Sequence, residues 1–200
     1  MAMKRAWVII GGKNVKKSTV IRALTGTGNA SIRSNRLCQI ERADGLIFSL
    51  VPYTSAMQEQ EVTPQEMLDH FKKRDFFVIP KPSQKNDEQV GFNFPQVRNF
   101  LFCLHNVSKN KKFPDAIEYI KLLLTDDWNI EAIIFLGKDE PNVSGKGRPK
   151  VPDDDALIAT DNDAPSWLQY SGIRYASIPN AQELPGSVVA YKVRDYFQWR

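Results

Sequence analysis

Short apolar runs alternate with stretches in which apolar residues recur every three or four positions, and this alternation sets the expected fold. Residues 6–10 form an apolar, β-branched run containing Trp7, the pattern of a strand buried on both faces, and Gly11-Gly12 stops it. Over residues 18–25, Val20, Ile21, Ala23 and Leu24 fall at helical spacing, and Gly26 is placed as the left-handed residue after a helix C-terminus. Residues 37–41 and 46–51 read as two strands joined through Arg42-Ala43-Asp44-Gly45, whose Asp-Gly pair signals a hairpin, with Pro52 ending the second. Thr63-Pro64-Gln65-Glu66 carries the signs of a helix start: Thr as N-cap, Pro at the first helical position and Glu at the capping-box position. Met67, Leu68 and Phe71 supply the apolar face of that helix.

Further along, residues 76–79 are another strand candidate and residues 80–87 an exposed loop. Residues 99–104 read as a strand, with a short helix opened by Pro95 as the alternative. A helix over 114–124, with Ile117, Ile120, Leu123 and Leu124 on one face, is followed by a buried strand over 131–136. Residues 173–178 offer a last strand and 187–197 a closing helix with Val188, Val189, Val193 and Phe197 inward. Strands that are apolar throughout and alternate with helices predict a three-layer α/β sandwich, a central mostly parallel sheet with helices on both faces. Ligands of such folds bind beyond the carboxyl ends of the strands, so the loop after the first strand becomes the place to look.

The chain has 200 residues, 42% apolar and 25% charged, which suits one soluble domain over 1–200 and excludes fibrous and low-complexity readings. Residues 141–165 hold four Pro and two Gly beside Lys146-Gly147-Arg148-Pro149-Lys150 and Asp153-Asp154-Asp155, and read as a long mobile loop or insertion. No apolar run approaches the roughly 18 residues of a membrane helix, and the basic-then-apolar N-terminus is too short for a secretory signal, so a cytoplasmic protein is expected. Cys38 and Cys103 have no Cys or His at metal-ligand spacing and are expected as reduced, buried thiols. His70, in a helix, and His105, at a strand end, are expected to be structural, although strand ends border sites.

Charge changes this picture in one place. The first 42 residues carry nine basic side chains, Lys4, Arg5, Lys13, Lys16, Lys17, Arg22, Arg33, Arg36 and Arg42, against Glu41 alone, so this stretch has a net +8 and the remaining 158 residues −4. This polarity points either to an anionic partner, with phosphate the first candidate, or to a solvated basic surface balanced by acidic neighbours in the fold.

Between the first strand and its helix stands Gly11-Gly12-Lys13-Asn14-Val15-Lys16-Lys17-Ser18-Thr19. It resembles the Walker A loop of the P-loop NTPase superfamily, G-x-x-x-x-G-K-[ST]: Gly11 matches the first glycine, Lys17 the lysine and Ser18 the hydroxyl residue. Lys16 departs from the pattern, standing where the family has its second glycine. The chemistry accounts for the spacing, because four residues between a glycine and a helix N-terminus let successive N–H groups curl around a phosphate that the helix dipole already favours. The resemblance implies that residues 11–19 cradle ATP or GTP, that Lys17 is the catalytic lysine reaching the β- and γ-phosphates, and that Ser18 coordinates Mg²⁺. Thr19 would back up that hydroxyl or meet the α-phosphate.

The rest of a catalytic set is sparse. The predicted strands end in Val51-Pro52, Ile79-Pro80, Leu104-His105, Leu136-Gly137 and Ile178-Pro179, none in a carboxylate. The nearest acids, Glu59, Glu61, Asp139 and Glu140, read as solvated surface groups. Gly137-Lys138-Asp139-Glu140 is weakly similar to the N-K-x-D base-reading segment of GTPases, matching at Lys138, and Ala176-Ser177-Ile178 sits where GTPases carry their last base-contacting loop. Tyr191, Tyr196, Phe197 and Trp199 are at core-like helical spacing rather than on a base-stacking surface.

The function expected is nucleotide binding with Mg²⁺-dependent NTP hydrolysis or phosphoryl transfer, as an NTPase or kinase. Two alternatives stay open: a catalytically degenerate domain that senses nucleotide while serving a protein partner or homo-oligomer, and a basic protein docking on nucleic-acid backbone.

Overall fold

The computed structural model describes residues 4–30, 37–73, 98–106, 108, 110–137, 168 and 171–200. The candidate strand 76–79, the loop 80–87 and the insertion 141–165 lie outside the described residues. In chain order the elements are β1 (Arg5–Gly11), α1 (Lys17–Thr25), β2 (Cys38–Glu41), β3 (Ile47–Pro52), α2 (Pro64–Lys73), β4 (Asn99–Leu104), α3 (Ala116–Thr125), β5 (Asn129–Leu136), β6 (Tyr175–Ile178) and α4 (Gly186–Phe197). The six strands form one sheet in the order β2-β3-β4-β1-β5-β6. β1 pairs parallel with β4 and β5, β3 with β4, and β5 with β6, while β2 and β3 form the antiparallel hairpin.

The expected three-layer α/β sandwich is what forms, and the alternation of β1 shows why. Ala6, Val8 and Ile10 face one side, with Phe100, Phe102 and Leu104 of β4, Ile133 and Phe135 of β5, and the apolar faces of α2 and α3. Trp7 and Ile9 face the other, with Leu101, Cys103, Ile134 and Leu136, under Val20, Ile21 and Leu24 of α1 and Val189, Val193 and Phe197 of α4. Both faces of β1 are covered, so all its positions must be apolar. Tyr53, Phe71 and Phe100 stack under α2, the Phe71 and Phe100 centroids 4.2 Å apart.

Local signals resolve as their chemistry requires. The Thr63 hydroxyl accepts from Glu66 N–H at 3.2 Å while Glu66 accepts from Thr63 N–H at 2.8 Å, a closed capping box that holds the Glu66 carboxyl below its usual range. Gly26 ends α1 at φ 64°, and Gly45 turns the hairpin at φ 83°. α3 starts at Ala116 rather than 114, because the Asp115 carboxylate accepts from Ile117 N–H at 3.0 Å and caps it there. α1 begins at Lys17, one residue before the expected start, and β6 begins at Tyr175, two residues after. β4 forms at 99–104 as a strand. Cys103 is buried, whereas Cys38 is only half-buried; both thiols are free, and burial pushes each up to about 12. Among the described residues no helix is long and apolar enough to cross a membrane.

At the amino end of the sheet, Asp126, just after α3, ties the residue before β1 and the end of α2 to the segment leading into β5. Its carboxylate accepts from Lys4 at 3.0 Å and from Lys72 at 2.6 Å, and Trp128 Nε1 donates to it at 3.3 Å. Burial pushes the carboxyl up, but the Lys72 and Lys4 hydrogen bonds outweigh this and hold it below the usual carboxylate range. A depressed carboxyl contributes stability above its unfolded value and loses it as pH falls through the folded one. Asp126→Asn is expected to cost about 1–2 kcal/mol in urea denaturation near neutral pH. The gap from the wild type should close once acid has protonated Asp126.

Candidate functional site

Every parallel strand points its carboxyl end to one edge, where β1 ends at Gly11, β4 at Leu104, β5 at Leu136 and β6 at Ile178. The turn from Gly12 to Lys16 leaves that edge at its centre and enters α1. Gly11 is fixed by space: a Cβ there would lie 2.6 Å from Val15 Cγ2 and 2.7 Å from the Leu136 carbonyl oxygen. The turn then needs two left-handed residues, Asn14 at φ 68° and Lys16 at φ 65°. Asn adopts that region readily; a lysine does so at a cost.

Lys16 stands at the position where a second glycine is expected. Its backbone adopts the left-handed conformation a glycine would take, and its ammonium donates to the Leu184 carbonyl at 2.5 Å, in the segment between β6 and α4. Neighbouring packing in this region is close, since a Cβ on Gly186 would lie 2.7 Å from Thr19 Cγ2. The carbonyl of Lys16 starts the helix by accepting from Val20 N–H at 2.9 Å. Among the described residues, the N–H groups of Asn14, Lys16, Ser18 and Thr19 meet no backbone acceptor. Free amides at a helix N-terminus attract anions through their partial charge.

Lys17, in contrast, is turned inward and only 5% exposed. Its ammonium donates to the carbonyls of Gly11 at 3.0 Å and Gly12 at 2.5 Å, and lies 3.4 Å from His105 Nδ1. The side chain thus ties the start of the turn to its end. Ser18 is half-buried and Thr19 exposed; Thr19 Oγ1 accepts from Arg22 at 3.4 Å and the Ser18 carbonyl accepts from Arg22 Nε at 3.2 Å. Lys13 is exposed.

The structure draws in His105 and Glu59, which the sequence reads as a structural histidine and a solvated acid, and adds Gln58, which sequence reasoning passed over. His105 Nε2 is 3.0 Å from Glu59 Oε1, so Glu59 is not merely a solvated acid, and His105 bridges it to Lys17. Gln58, fully buried, holds His105 in place: its Oε1 accepts from His105 N–H at 3.0 Å, and its Nε2 donates to the carbonyls of His105 and Pro114, each at 3.1 Å. Burial and the Lys17 charge push the imidazole below its usual range, outweighing the opposite pull of Glu59 and of the Gly11 backbone. A neutral ring satisfies both neighbours if Nε2 donates to Glu59 and the Nδ1 lone pair faces Lys17.

Other sequence candidates separate from this centre. Gly137 follows β5 and its carbonyl accepts from Ala181 N–H at 3.3 Å, joining the segments after β5 and β6, while Lys138, Asp139 and Glu140 lie outside the described residues. Trp199 is buried against Trp7, and Tyr191 is 73% exposed on α4, against the expectation of a core position. An open groove of about 610 Å³ between α2 and α3 is lined by Thr63, Lys111, Lys112, Glu118 and Lys121, and by no residue of the turn.

No family model and no curated protein matches the chain. Among solved structures the chain is similar to the FeoB G-domain from Methanococcus jannaschii, at 16% identity over 98% of this chain and 99% of that one, with a TM-score of 0.37. The functional reading therefore rests on the geometry of the turn itself.

That geometry separates two substitutions. Gly11→Ala places a methyl against a backbone oxygen that cannot move aside, and is expected to lower urea-measured stability by about 1–3 kcal/mol. Lys16→Gly relieves the left-handed lysine while giving up its bond to Leu184, and should stay within about 1 kcal/mol of the wild type.

Proposed function

We propose that residues 11–19 bind the triphosphate of a nucleoside triphosphate, ATP or GTP. The observation that carries this reading is Lys17 held beneath the turn by the Gly11 and Gly12 carbonyls, at the root of a helix whose Ser18 and Thr19 amides meet no backbone acceptor among the described residues. A polyphosphate seated on the turn would meet the Lys17 ammonium from below and the amides and dipole of the helix N-terminus from the side. Gly11, Gly12, Lys13, Asn14, Val15 and Lys16 would give the main-chain wall, and Ser18 and Thr19 the hydroxyls.

The donor set fits Mg²⁺ only in company with the phosphates. Among the described residues no three His, Cys, Asp or Glu side chains gather to hold a metal, so the ion would be shared between the Ser18 hydroxyl and phosphate oxygens, where it neutralises charge on the transferred group. Lys17 would stabilise the same charge from below. β4, the strand beside β1, is followed by His105 where a metal-binding or water-polarising carboxylate would be useful, and this favours nucleotide binding with slow turnover over fast hydrolysis. A role as a nucleotide-sensing subunit for a protein partner or a second copy follows from that reading, on one domain spanning 1–200.

Mg²⁺ with GTP or ATP at a hundredfold excess over its Kd should stabilise the protein by about 2.7 kcal/mol, raising Tm by about 5–10 °C. Lys17→Met keeps the bulk of the side chain without its charge; it should fold and lose this shift. A shift that persists in Lys17→Met contradicts the assignment. Binding to DNA or RNA that collapses with moderate salt and ignores Lys17→Met would favour the nucleic-acid alternative.

A further inference from the structure

Three charged or titratable side chains stand in a row below the turn, from buried Lys17 through His105 to Glu59 at the exposed end. Lys17 carries one positive charge at 5% exposure, His105 touches it at 3.4 Å, and Glu59 carries one negative charge 3.0 Å from the far side of the imidazole. Their net charge is zero as long as His105 is neutral. Cys103 lies beneath them as an uncharged thiol, its Sγ directed to the Thr54 carbonyl at 3.6 Å, and the Gly11 main chain faces the ring from β1. Glu59 and the Gly11 main chain favour the protonated ring, and burial and the Lys17 charge outweigh them.

A polyphosphate on the turn changes that balance by at least two negative charges within reach of Lys17, and so about 4–6 Å from the imidazole, where an opposite charge favours the protonated ring. Gln58 fixes the His105 backbone through both its main-chain groups, and the Glu59 carboxylate 3.0 Å from Nε2 orients the ring. We propose that His105 takes up a proton when a polyphosphate is seated on the turn, becoming a third cation of the site, paired with Glu59 on one side and facing the phosphates on the other. The inference rests on the phosphate reading of residues 11–19 and deepens it: the protein would bind polyphosphate with proton uptake, and more tightly as pH falls through the range of His105 in the complex.

The sign follows from linkage. A group whose protonated form is favoured in the complex binds ligand better below its bound-state midpoint, and the gain fades above it. The chain has two histidines, so each imidazole can be followed by NMR, with a His70→Gln protein assigning the signals. The probe is inorganic tripolyphosphate with Mg²⁺. The midpoint of His105 should rise by about one pH unit or more on saturation, a tenfold change in the protonation equilibrium, while that of His70 stays. Calorimetry in buffers of different ionisation enthalpy should show net proton uptake that is reduced in His105→Gln, a comparison that removes the titration of the probe itself.

If tripolyphosphate raises Tm in a Lys17-dependent way but the His105 midpoint stays or falls, this inference fails and the phosphate reading stands. If the probe neither raises Tm nor moves any signal, the phosphate reading fails and takes this one with it.

Discussion

A lysine ammonium buried beneath a strand-to-helix turn is the constraint to which the rest of the site answers. Desolvating such a charge costs several kcal/mol unless dipoles and counter-charges surround it. Here the Gly11 and Gly12 carbonyls supply the dipoles and Glu59, acting across His105, supplies the counter-charge. Gly11 has no room for a side chain, because Val15 of the turn folds back on it while the Leu136 carbonyl of β5 stands beside it.

The sheet makes this arrangement possible by setting β1 between β4 and β5. Its two faces are sealed by separate apolar clusters, α2 and α3 on one side and α1 and α4 on the other. With the strand immobilised by packing, its carboxyl end delivers Gly11 to one place and the end of β4 delivers His105 beside it, across a register that pairs Ile10 with Leu104. Lys16 then fastens the turn laterally to the segment before α4. The resting site is thus held together by contacts of the chain with itself, and the Ser18 and Thr19 amides, which meet no backbone acceptor among the described residues, are what it offers a ligand.

Much of this frame was legible in the sequence, for reasons that are local. Trp7 to Ile10 could only be a doubly buried strand, Thr63-Pro64-Gln65-Glu66 could cap a helix and little else, and Asp44-Gly45 made a hairpin where one was signalled. Asp115 fixed the start of α3 two residues late because a cap acts over a single hydrogen bond that periodicity does not see. The turn itself was legible as a strand, a glycine, a lysine and a hydroxyl at the right spacing. Lys16 was readable only as a departure; that its backbone would go left-handed and its side chain sideways to Leu184 depends on a partner 168 positions away. Gln58, Glu59 and His105 have no signature of their own, since their meeting depends on the connection after β3 folding back on the end of β4, at a separation of 46 or 47 residues. The strand-end rule pointed at His105, and composition alone gave no reason to prefer it.

The central claim is that the turn from Gly11 to Thr19 grips phosphate through its main-chain amides. Titrating inorganic tripolyphosphate into ¹⁵N-labelled protein tests it most directly. The amide signals of Asn14, Lys16, Ser18 and Thr19 should move first and together, saturating with one apparent affinity. Movement confined to the Lys111, Lys112 and Lys121 surface, with the turn signals unchanged, would contradict the account.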